Sequence, residues 1–130
     1  MAELEKVKDY FENDTFAMQM GIRIEKADAE ESICTLEITP NHFNAGGTVQ
    51  GGAIFTLADL AFAVAANCEG RKTVTQSASV SFLKPGKGKK LTACAQKLSA
   101  GGRTCHYNIR VTNEEDILVA HMVVNGFVVG

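Results

Sequence analysis

The sequence has no tryptophan and only two prolines, Pro40 and Pro85. So little proline, with 45% hydrophobic residues, argues against a linker-rich or disordered chain. There is no basic excess: 13 Lys and Arg stand against 15 Asp and Glu, a net charge of −2, and nothing in that balance points to nucleic acid. No apolar run reaches the ~20 residues that a membrane-crossing helix needs. No CxxC pair occurs among Cys34, Cys68, Cys94 and Cys105. Cys105 and His106 are adjacent and would face opposite ways on a strand, so they do not pair as zinc ligands. The four thiols read as small core filler in a reducing, cytoplasmic setting. Met1 to Glu12 is charged and lacks the apolar core of a signal peptide. A chain of 130 residues is expected to form one domain, 1–130.

What the sequence does have is concentrated between Asn44 and Asn67. A glycine-rich loop passes at Gly51 and Gly52 into a helix whose side chains from Ala53 to Ala66 are apolar except for Thr56 and Asp59. A helix apolar on nearly every side belongs inside a fold. Thr56 and Asp59 are three residues apart and share a face. A carboxylate in such surroundings must be neutralised, paired or used. His42, His106 and His121 have no common spacing and read as exposed or partly packed, not as ligands.

The remainder alternates in period. Residues 3–12 place Leu4, Val7 and Phe11 at helical spacing. A turn or short second helical piece follows. Residues 22–27 and 32–39 alternate as strands around a turn at Glu30-Glu31, and form an expected hairpin. After the apolar helix come four more strands, over 74–83, 91–98, 104–112 and 117–129, joined by short turns such as Pro85-Gly86-Lys87-Gly88 and Ala100-Gly101-Gly102. In the first of these, Val74, Ala78, Val80 and Phe82 are expected on one face and Thr75, Ser77, Ser79 and Ser81 on the other. Short connections fit an antiparallel meander. The fold class is α+β: one antiparallel sheet curled around one central helix, with a short N-terminal helix outside. Such an open sheet leaves an edge strand and part of the helix uncovered, which a symmetric dimer would close.

The backbone N–H groups at Gly51 and Gly52 lack intrahelical partners and lie at the positive end of the helix dipole, where a developing oxyanion would be stabilised. The plain alternative is a tight loop entry. Asp59 lies eight residues on, about 12 Å along the axis. One carbonyl group cannot touch both. If both act on one substrate, Asp59 must meet the glycines of a second copy, in an antiparallel dimer with two sites.

These residues resemble a family. Asn44, Gln50, Gly51, Gly52, Thr56, Leu57 and Asp59, with the later Val80-Ser81-Phe82-Leu83-Lys84-Pro85-Gly86, look like the hotdog-fold acyl-CoA thioesterases of the phenylacetate-degradation (PaaI-type) group. The likeness covers roughly residues 20–128. It implies a hotdog fold, hydrolysis of a coenzyme A thioester, a homodimer or a homotetramer built from dimers, and no metal or redox cofactor. By position, it makes Asp59 the nucleophile or the general base and Gly51 N–H the group that polarises the thioester carbonyl. Asn44 would position the carbonyl or the water, Thr75 would assist the water, and Gly52 and Thr56 would line the substrate site. Gln50 stands where the family usually has histidine; it keeps the hydrogen bonds but carries no proton. Lys84, Lys87, Lys89 and Lys90, with Arg71 and Arg103, could meet the coenzyme A phosphates, or could be solvated charges. Bland readings stand beside the others: Asp59 as an acid bonded across a dimer seam, Asn44 as a loop cap, Thr75 as a plain strand residue. A non-catalytic acyl-CoA binder and a 3-hydroxyacyl thioester hydratase or dehydratase are the alternative functions.

Overall fold

A computed structural model describes residues 3–130; Met1 and Ala2, the start of the expected domain, lie outside the described residues. Two short helices, α1 (Leu4–Phe11) and α2 (Thr15–Met20), precede the hairpin β1 (Arg23–Lys26) and β2 (Glu31–Glu37). A 3-10 turn at Pro40–His42 leads to the long helix α3 (Gly51–Asn67), followed by β3 (Thr73–Phe82), β4 (Lys90–Gly101), β5 (Thr104–Asn113) and β6 (Leu118–Val128). The six strands form one antiparallel sheet in the order β1-β2-β4-β5-β6-β3. The chain therefore crosses from β2 to the far edge through α3, and β3 is an edge strand.

The hairpin turn lies before Glu31 rather than at Glu30-Glu31: Glu31 already pairs with Gln96 across β2 and β4. α1 buries Val7 and Phe11, its inward face. The Asp14 carboxylate caps α2 by accepting from Ala17 N–H at 3.1 Å, and Gly21 ends it at φ 86°, the left-handed region that glycine adopts freely.

α3 packs against β2 to β6. Leu57, Ala58, Ala61 and Val64 are fully buried against Leu36, Leu91, Ile109, Val111, Met122 and Val124 from the concave face of the sheet. Phe62 meets Tyr107 edge-on at 5.5 Å. Its ring reaches the sheet because position 126 is glycine; a Cβ there would lie 2.7 Å from Phe62 Cζ. Fully burying side chains of this size contributes about 1.5–3 kcal/mol each, so this seam holds the fold. Cys34 is part of it, and burial pushes its thiol up to about 12, which leaves it inert.

The sheet does not enclose the helix completely. Gly52 is exposed, and Phe55, Thr56, Asp59, Ala63 and Ala66 are half-buried. These positions recur at three- and four-residue steps, so they form one stripe. The neighbouring edge strand is open too: from Val74 to Phe82 every residue of β3 is exposed except Val80.

The face assignment in β3 needs one correction. Thr75 pairs with Gly126 but Ser77 pairs with Asn125, so Gln76 is an extra residue in a bulge. The parity of the strand slips there. Thr75 turns to the helix side together with Ala78, Val80 and Phe82, while Val74 joins Ser77 on the outer face.

Candidate active site

The loop before α3 is held by its own side chains. Asn44 Oδ1 accepts from Gly46 N–H at 2.9 Å and Thr48 N–H at 3.2 Å, and Asn44 Nδ2 donates to Thr48 Oγ1 at 3.2 Å. The carboxamide is thus a loop cap, the local role expected beside the catalytic one. His42 is buried, where its sequence context suggests an exposed or partly packed side chain. Its Nδ1 accepts from Thr39 N–H at 3.0 Å, so Nε2 carries the proton and donates to the Met20 carbonyl at 2.8 Å. This imidazole ties the end of α2 to the loop, and its own carbonyl accepts from Gln50 N–H at 2.8 Å.

Gln50 is the N-cap of α3. Its Oε1 accepts from Gly52 N–H at 3.4 Å, a long bond that an incoming acceptor could displace. Gly51 N–H has no acceptor among the described residues. Thr56 Oγ1 donates to Gly52 O at 2.8 Å, so its proton stays within the helix.

Asp59 sits halfway along the open stripe. Thr75 Oγ1 donates to Asp59 Oδ1 at 2.8 Å, and no other hydrogen bond to the carboxylate occurs among the described residues. Burial holds this carboxyl above the ordinary carboxylate range. The Thr75 bond opposes the rise, and the negative charge of Asp14 adds to it. The group is therefore ionisable, partly desolvated and accessible, the condition in which a carboxylate is reactive.

The basic residues divide between two ends of the protomer. The turn with Lys84, Lys87, Lys89 and Lys90 lies at the Gly51 end: Gly86 O accepts from Val49 N–H at 2.9 Å, and a Cβ on Gly86 would lie 3.2 Å from Ile54 Cδ1. The Glu114 carboxylate holds this turn by accepting from Lys89 N–H at 3.1 Å and Lys90 N–H at 3.3 Å. None of the four lysine side chains has an ion pair among the described residues. Arg71 and Arg103 lie at the other end, near the C-terminus of α3. Arg71 donates to Gly102 O and Arg103 to Val128 O, each at 2.9 Å, and Arg103 covers the Phe127 ring at 5.3 Å. The ten residues of β3, roughly 30 Å of strand, run between the two groups, so they do not meet within one protomer.

An open groove of about 530 Å³ lies beside Gln50, Gly52 and Thr56, walled by Phe16, Met20, Phe43 and Phe55. Among the described residues no group of His, Cys, Asp and Glu could hold a metal ion, and no helix is long and apolar enough to cross a membrane. Sequence reasoning missed the packing of Phe82 on Gly51 and the anchoring role of His42. A signal for the first was present: an aromatic residue directly before a Leu-Lys-Pro-Gly turn.

The sequence and the fold are similar to those of known proteins. The family model of the thioesterase superfamily matches residues 46–120. The acyl-coenzyme A thioesterase PaaI of Escherichia coli (strain K12) is 37% identical over 111 residues, which is 85% of this chain and 79% of that protein. The structure of the E. coli PaaI protein from the phenylacetic acid degradation operon matches with a TM-score of 0.91 at 31% identity, over 98% of this chain and 93% of the other. A protein of Streptococcus pneumoniae TIGR4 described as a hypothetical thioesterase, solved with coenzyme A, matches with a TM-score of 0.84 at 27% identity, over 92% and 97%. Two mutant structures of a thioesterase so described from the same organism, each 28% identical, carry an aspartate-to-alanine and a threonine-to-alanine replacement sixteen residues apart. By sequence and by structure, this chain belongs to the thioesterase superfamily, among its hotdog-fold acyl-CoA thioesterases of the PaaI type.

Proposed function

We infer that the protein hydrolyses an acyl-CoA or aryl-CoA thioester to the free acid and coenzyme A, at sites shared between two copies of the chain. The observation that carries this is the Asp59–Thr75 pair, held on the uncovered stripe of α3 eight residues after a Gly51 N–H that has no partner among the described residues. Asp59 and Thr75 are sixteen residues apart, the same separation as the aspartate and threonine replaced in the S. pneumoniae protein.

Asp59 acts on the thioester carbonyl in one of two ways. As base, it takes a proton from a water whose oxygen attacks the carbonyl carbon. As nucleophile, its oxygen attacks directly and water then hydrolyses the mixed anhydride. In both, the carbonyl oxygen gains negative charge, the C–S bond breaks, and the coenzyme A thiolate leaves. Gly51 N–H of the second subunit donates a hydrogen bond to that oxyanion, because about 12 Å of helix separates Gly51 from Asp59 in one chain. Thr75 orients the carboxylate and favours its ionised form against the effect of burial. Gln50 and Asn44 hold the loop that presents the amide.

An antiparallel pairing of two α3 stripes, continued by the open edge of β3, places each Asp59 beside the other chain's Gly51. It also carries the lysine turn of one chain towards Arg71 and Arg103 of its twin, which unites the two basic groups around one coenzyme A. A homotetramer would be two such dimers. We place the protein in a reducing cytoplasm because its four thiols are free.

A second reading is an acyl-CoA binder without turnover, favoured by Gln50, whose carboxamide accepts from the Gly52 amide and has no proton to carry. A panel of acyl-CoA and aryl-CoA thioesters, assayed by free thiol release, separates the two. Turnover that disappears in Asp59→Asn supports hydrolysis. Tight binding of every thioester with no thiol release supports the binder.

A further inference from the structure

The Phe82 ring sits on Gly51: a Cβ built there would lie 3.2 Å from Phe82 Cζ and 3.4 Å from Cε1. Yet Phe82 is 52% exposed in the single chain, so core burial within the protomer does not account for it. Its root is fixed from behind. Leu83 N–H and Lys84 N–H both donate to Val119 O, at 2.8 and 3.1 Å, and the turn that follows is tied to the α3 loop through Gly86 O. Beyond the bulge, the helix-facing side chains of β3 are Ala78, Val80 and Phe82, so the largest is presented to the first turn of α3.

We propose that Phe82 is a positioning residue for thioester hydrolysis, whose ring seats the first turn of α3 and keeps water from the Gly51 amide. This rests on the reading above of Gly51 as the group that takes up the carbonyl charge. A donor in a dry, fixed setting stabilises that charge far better than a hydrated one, because it need not reorganise as the charge develops. The contact also gives Gly51 a reason to be glycine: alanine would retain the N–H but press its methyl group against the ring.

The test is steady-state kinetics of the full-length protein, with whichever thioester of the panel it turns over fastest. Phe82→Ala should lower kcat about tenfold or more with KM changed by less than about threefold, since a misplaced donor affects the transition state more than binding. Phe82→Tyr, which keeps the ring, should stay near wild type. Gly51→Ala should also lower kcat, and Gly51→Ala combined with Phe82→Ala should lose less than the product of the single losses, because the methyl group then has room. Phe82→Leu keeps apolar bulk on the strand and should lose part of the kcat while folding normally, which covers a failure of the alanine variant to fold. An unchanged kcat in Phe82→Ala and Phe82→Leu, a loss confined to KM, or fully multiplicative losses in the double variant would each overturn the proposal. Asp59→Asn is run alongside: if it stays active, the underlying reading fails, whereas an inactive Asp59→Asn beside a normal Phe82→Ala removes only the role of Phe82.

Discussion

The Thr75 hydroxyl donates to Asp59 Oδ1 at 2.8 Å, from an edge strand to the middle of a largely apolar helix. This bond and burial act on the carboxyl in opposite directions, and burial is the larger influence. A carboxyl held above its ordinary range costs stability when ionised; the cost fades as pH falls through the raised value.

Asp59→Asn should therefore abolish turnover and stabilise the protein. The rate should fall by about 10²–10⁴-fold, the contribution of a positioned acid or base. At neutral pH the amide removes the desolvated charge, can still accept from Thr75, and should raise the thermal midpoint by about 4 °C for each kcal/mol recovered. A pair of melting curves, at pH 7 and pH 4, checks the sign: the advantage should shrink at the lower pH.

Thr75→Val should move the acid limb of the pH–rate profile upward. The ionised form of Asp59 is the active one, and the Thr75 bond favours it. Without the bond the carboxyl protonates at a higher pH, so kcat/KM begins to fall earlier on acidification. Thr75→Ser should leave the limb in place. Profiles of kcat/KM between pH 4 and 8 provide the comparison.

His42→Ala should destabilise the fold by about 2–4 kcal/mol. It strands the Thr39 N–H and the Met20 carbonyl and leaves a cavity. The urea midpoint measures it.

Lys87→Gln, Lys89→Gln and Lys90→Gln together should raise KM for an acyl-CoA and weaken its dependence on salt. The same triple variant should leave KM unchanged for the corresponding acyl-pantetheine, which lacks the nucleotide phosphates. One lysine alone should matter little, as exposed charges contribute about 1 kcal/mol or less.

Several of these relationships were legible in the sequence. Gly51-Gly52 followed by an apolar run gave the start of α3, and the close of that run at Asn67 gave its end. The antiparallel meander expected from alternating strands and short turns holds for β4, β5 and β6 only; the Pro85–Gly88 turn joins strands that are not neighbours, since β3 pairs with β6 and β4 with β2. The hidden parts depend on contacts between distant positions. The bulge at Gln76 is a matter of register against β6, so residue parity placed Thr75 on the wrong side. His42 is buried and bonded to the Met20 carbonyl, 22 residues away, and nothing beside it announces that. The lysines and arginines looked like one group because β3 was read for its faces, not for its length.

The central claim is that Asp59 of one chain works with Gly51 of its twin. Co-expressing Asp59→Asn with Gly51→Val, two variants expected to be nearly inactive alone, tests it most directly. Half of randomly assembled dimers would be mixed, and each mixed dimer would hold one site with both native residues, so about one quarter of wild-type activity should return. A co-expressed mixture no more active than its two parents, with mixed dimers shown to be present, would contradict the account.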